Sequence, residues 1–192
     1  MMEAAAVDLH LIASQAALCV VSLYSALRSH QVHRAAAAGF LLHALGSACS
    51  LSLVLFYEDP MPSSGPWVAI VIGFPLLAFA FFWMSGDQST ANMLLGASLL
   101  VAAGSENLPE ESRCMVANYV IAAASLSVLV LSIFIGNVYG VLGSLTLAVT
   151  GLLKAEISQM VPKEVASTYG QTVSLLAFSH ALASHHLDYV CT

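Results

Sequence analysis

Residues Cys114 to Leu153, CMVANYVIAAASLSVLVLSIFIGNVYGVLGSLTLAVTGLL, run for 40 positions without a charged side chain. As one α-helix this run would be about 60 Å long, twice the roughly 30 Å of a bilayer's hydrocarbon core. It therefore has to fold back on itself, and Gly136-Asn137 is the best turn signal inside it. Two antiparallel helices follow, near 115–135 and 138–153.

The same measure, about 20 apolar residues per crossing, divides the rest of the chain. Leu9 to Leu27 is uncharged and closed by Arg28, and Ala35 to Tyr57 ends at a Pro-rich, acidic stretch that no helix survives. Residues 67–84 follow, with Trp67 and Trp83 near the two ends, where indoles favour the membrane interface, and Pro75 in the middle to kink the helix. Residues 88–104 and 170–187 complete the set, the last diluted by Gln171, Thr172, His180, His185 and His186. The chain as a whole is 59% hydrophobic and 8% charged, where soluble domains carry about a quarter charged residues. A domain this small leaves about a third of its chain surface uncovered, and here only lipid can meet it. The expected architecture is all-α, a multi-pass transmembrane helical bundle of about seven short spans, with six or eight as alternatives, in a single integral membrane domain over 1–192.

Charge and cysteine usage exclude several classes. A net charge of −6 with no basic stripe argues against a nucleic-acid partner. Cys19, Cys49, Cys114 and Cys191 have no C-x-x-C spacing, so neither a zinc ribbon nor a disulfide framework is signalled. Met1 to His10 holds Glu3 and Asp8 but no Lys or Arg, unlike a cleaved signal peptide, so the first apolar run is expected to stay as an anchor. Arg28 and Arg34 stand against Arg113, Lys154 and Lys163 on opposite sides of a seven-span chain, a weak lean towards a cytoplasmic first loop. The short spans suit the thinner bilayer of the endoplasmic reticulum.

Packing precedes chemistry in such a chain. Ala, Ser and Gly make up about a third of it, and in lipid small residues let helix backbones approach closely. Gly136, Gly140, Ser144 and Ala148 recur every four residues and form a small-residue ridge, read either as a homo-oligomer or partner face or as packing against a neighbouring span.

Histidine is the ionisable type inside the proposed spans. His43 lies near the middle of the second, one turn from Gly39 and Ser47, where a neutral imidazole can donate one hydrogen bond to a facing helix, bind metal or relay protons. If the second and last spans were neighbours, His43, His180 and one of His185 and His186 would offer three nitrogens to a zinc ion. His30 and His33, in the first loop, have the i, i+3 spacing of a metal pair but are more simply solvated.

Span count and these histidines resemble the seven-span membrane hydrolases that include the alkaline ceramidases and the progestin and adipoQ receptors, and the likeness implies a zinc-dependent, lipid-modifying hydrolase. Those families carry Ser-x-x-x-His in an early span, an Asp soon after it, and His-x-x-x-His in the last span. Here Gly39 stands four before His43, Ser184 stands four after His180, and the first Asp after His43 is Asp59, in a loop. The leading expectation is instead a non-enzymatic protein that acts through helix-face contacts with lipids or partner membrane proteins. The hydrolase is the alternative. A proton-coupled transporter using Glu156 is third, although Pro75 has no counterpart in a second repeat.

Overall fold

A computed structural model describes residues 2–56, 64–105, 108–156 and 163–190, with side chains over 9–56, 65–105, 108–151 and 165–184. Its described residues are helical apart from short turns: α1 (Met2–His30), α2 (Arg34–Phe56), α3 (Ser64–Val68), a π-helical turn (Ala69–Gly73), α4 (Phe74–Met84), α5 (Gln88–Gly104), α6 (Glu110–Phe134), α7 (Val138–Glu156) and α8 (Lys163–Val190). The third rod is continuous through α3, the π turn and α4. Among the described residues, four helices are long and apolar enough to cross a membrane, Leu9–His30, Arg34–Phe56, Gly65–Met84 and Glu110–Phe134, with Val138–Gly151 a shorter apolar helix.

The third rod is the axis of the bundle. It touches α2, α5, α6 and, through α4, α8, while α1 packs on α2 and α8, and α7 on α6 and α8. The surface is what a bilayer requires. Leu27, Phe56, Leu100 and Phe134 are 76% exposed or more, whereas Ser14, Ser22, Ser25, Ser144 and Ser174 are fully buried. Large apolar side chains face outward and small hydroxylated ones inward, because in hydrocarbon close backbone approach and satisfied polar groups replace the hydrophobic effect as the organising force. Several inward hydroxyls donate to their own helix, as Ser47 does to the Ala44 carbonyl at 3.0 Å and Ser144 to Gly140 at 2.8 Å.

Helix reversals explain themselves locally. α4 and α6 both end in a glycine of positive φ, Gly86 at 89° and Gly136 at 70°, a conformation glycine enters without a Cβ penalty. The following residue closes each end with a long bond: Asp87 N–H donates to the Phe82 carbonyl at 3.1 Å, and Asn137 N–H to Ser132 at 2.8 Å. The same Asx side chains then start the next helix. Asp87 accepts from the Thr90 N–H at 3.0 Å and from its hydroxyl at 2.6 Å, and Asn137 accepts from the Gly140 N–H at 3.1 Å. Those bonds from Thr90 hold the Asp87 carboxyl below the ordinary carboxylate range.

Pro75 acts one step earlier than a simple kink. It follows the π turn within the first residues of α4. Proline supplies no N–H and crowds the carbonyl four residues back, which here falls inside Ala69–Gly73, so the helix widens there.

Candidate functional site

The wide turn lies against the one histidine that, among the described residues, is buried deep in the bundle. His43, on α2, is 2% exposed, and its Nε2 has no hydrogen-bond partner. Glycine makes the contact feasible: a Cβ on Gly73 would come 2.9 Å from His43 Nε2, and one on Gly39 would come 2.9 Å from the Gly73 carbonyl oxygen. Phe74 covers the ring at 4.4 Å between centroids. α2 and the third rod meet along a glycine seam that continues at Gly46, whose Cβ would lie 2.8 Å from that of Ala69.

Beside His43 the helices part. A cavity of about 460 Å³ lies between α1, α2, the α3 and π-turn region and α8, and its polar lining is Gln15, Ser47, Ser50, Ser167, Thr168 and Gln171 around the imidazole. Gln15 reaches the Thr168 hydroxyl at 3.5 Å, the long limit of a hydrogen bond. No Asp, Glu, Lys or Arg is among these lining residues. The described lining can therefore exchange hydrogen bonds but offers no counter-charge.

A second, apolar opening lies across the third rod. α5 buries only Ala91 and Ser98, and between it and α6, floored by Pro75 and Ala78, runs a groove of about 340 Å³ lined by Leu94, Ala97, Val101 and Val120 among others. The Ser98 hydroxyl at its edge is already committed to the Leu95 carbonyl at 2.8 Å.

The structure does not bring His43 and His180 together. Gln171 shares the cavity with His43, and His180 lies nine residues further along α8, about 13 Å at 1.5 Å per residue. His180 instead meets Arg28, whose Nη1 is 3.3 Å from both ring nitrogens, and Tyr139 at 5.7 Å. The side chains of His185, His186 and Glu156 lie outside the described residues. No group of three His, Cys, Asp or Glu able to hold a metal ion occurs among the described residues. His33 stands against Phe79 and Trp83, at 6.0 and 6.4 Å, and partial burial lowers its pKa from the usual imidazole value.

Of the small-residue ridge, Gly136 belongs to the turn, because its left-handed backbone ends α6 before α7 begins. Gly140 abuts Ser132 of α6, Ser144 is fully buried, and Ala148 borders a groove between α6 and α7. The seams that hold α7 to α8 involve other glycines: Gly143 lies under Phe178 and its carbonyl accepts from Ser174 at 2.9 Å, and Gly170 abuts Thr150.

Apolar crossings, an outward apolar surface and a hydroxyl-rich interior define a multi-pass α-helical membrane protein. The chain is 37% identical to Transmembrane protein 276 of Bos taurus and 36% identical to Transmembrane protein 276 of Homo sapiens, each over 180 residues covering 92% of this chain and 93% of the relative. It belongs to the Transmembrane protein 276 family. No protein-family model matches the chain, and no solved structure matches it.

Proposed function

We propose that the protein acts without catalysis, through a helix face that receives the acyl chain of a membrane lipid, the face being the groove between α5 and α6. One observation carries this reading. α5 packs principally on the third rod and leaves its side towards α6 open, with an apolar floor and no uncommitted buried polar group. Within hydrocarbon an open apolar groove of about 340 Å³ is filled by whatever apolar chain is at hand, and dispersion favours an occupant that fits over bulk lipid.

The test is photocrosslinking in nanodiscs that contain phosphatidylcholine with a diazirine in its acyl chain. Adducts are expected to concentrate on the facing surfaces of α5 and α6, and Ala97→Phe, which fills the groove, is expected to reduce them several-fold. Equal labelling of every outward-facing helix, or capture of a second protein's helix at the groove, would end the lipid reading.

A further inference from the structure

The polar cavity at His43 is a different site, separated from that groove by the third rod, and its chemistry selects a different class of ligand. Three features restrict the occupant. The His43 imidazole, 2% exposed, lines an open volume of about 460 Å³. The remaining polar lining among the described residues is amide and hydroxyl: Gln15 and Gln171 carry both donors and acceptors, and the Ser47 and Ser50 hydroxyls, which already donate to their own helix, keep acceptor capacity. With no acidic or basic side chain among the described lining residues, a charged occupant would lose its hydration without gaining a counter-charge from them. A purely apolar occupant would leave the amide lining unsatisfied.

We infer that this cavity binds an uncharged, hydroxyl-bearing molecule, its hydroxyls shared among the His43 imidazole, Gln15 and Gln171. A hydroxyl is the matching partner because it serves either imidazole tautomer, donating to a bare nitrogen or accepting from a protonated one. The volume lies within the range of small-ligand sites, about 300–1,000 Å³. Leu18, Pro66, Ala69 and Ile70 give the cavity apolar walls between its polar groups, which suits the glycerol portion of a neutral lipid as well as a free polyol.

Equilibrium binding to the full chain in nanodiscs separates the cases. The probes are monooleoylglycerol, glycerol, methyl oleate, which lacks hydroxyls, and oleate, which is charged. Monooleoylglycerol is expected to bind at least tenfold more tightly than methyl oleate or oleate, and glycerol binding in addition would identify a free polyol as a source. Glycerol binding alone would assign the site to a polyol rather than a lipid and would equally support the inference. His43→Phe is expected to weaken binding of the hydroxylated probe about tenfold, the usual worth of one hydrogen bond. Gln171→Leu is expected to do the same and decides the matter if His43→Phe does not fold. Neither substitution is expected to alter acyl-chain crosslinking between α5 and α6, so the two sites can fail separately. The inference is overturned if no hydroxylated probe binds, if methyl oleate or oleate binds as tightly, or if folded variants bind as the parent protein does.

Discussion

His33 illustrates how a single side chain is set by its surroundings rather than by its position in a loop. It sits beside Phe79 and Trp83 with a buried Nδ1 that has no partner, and burial lowers its pKa below the ordinary imidazole value. A lowered imidazole pKa means that the unfolded chain takes up a proton first as pH falls. Stability is therefore complete above about pH 6.5 and declines as pH drops from there towards the folded-state value. Thermal unfolding in detergent at pH 7.5 and 5.5 is expected to show this loss, and His33→Phe is expected to reduce it. An equal loss in both proteins would assign the effect to other histidines. His43 was legible from sequence as the odd residue of an uncharged helix, but its cavity partners were not. Gln15 and Gln171 lie on helices far away in the chain, and no local periodicity announces that α1 and α8 flank α2. The same distance hid the partnership of Arg28 with His180.

At the scale of elements, the crossing of α2 with the third rod carries the sharpest steric demand. A methyl group on Gly39 would meet a backbone oxygen, which cannot rotate aside, and Gly39→Ala is expected to cost about 1–3 kcal/mol of stability. Gly96, on the open side of α5, has nothing within 4 Å of its Cβ position, so Gly96→Ala is expected to be neutral or to stabilise by up to about 1 kcal/mol through helix propensity. Thermal or denaturant unfolding of the two variants checks the contrast, and a tolerated Gly39→Ala would mean the seam is looser than described. Sequence periodicity pointed to a glycine ridge around α7 and missed the Gly39, Gly46 and Gly73 seam. The reason is physical: a four-residue repeat within one helix is visible, whereas a seam shared between two helices shows half its residues on each. Pro75 was legible as a disturbance, but the form of that disturbance, a widened turn rather than a bend alone, was not.

For the whole molecule, the fold class was legible because charge is so rare that its positions alone delimit the helices. The arrangement of those helices was not, since a lipid-facing and a buried apolar helix read alike. Trp67 and Trp83 mark the two ends of the axial rod. Trp67 donates to the Arg113 carbonyl at 3.0 Å with the Arg113 guanidinium 4.6 Å from its ring centroid, and Trp83 stacks on Phe79 at 5.3 Å. Variants retaining one tryptophan each are expected to be quenched more by lipids brominated near the headgroup than by lipids brominated at the chain ends. Strong quenching from the bilayer centre for either indole would show that the rod does not span as described.

The widened turn at Ala69–Gly73 also sets the relative rotation of those two indoles. A π-helical turn accommodates one residue more than an α-helical turn, and one residue is about 100° of azimuth. Each half of the axial rod is thus clocked separately: Trp67 is aimed at Arg113 on one side of the bilayer and Trp83 towards His33 on the other, an alignment that an uninterrupted helix of the same composition would have to sacrifice at one membrane face.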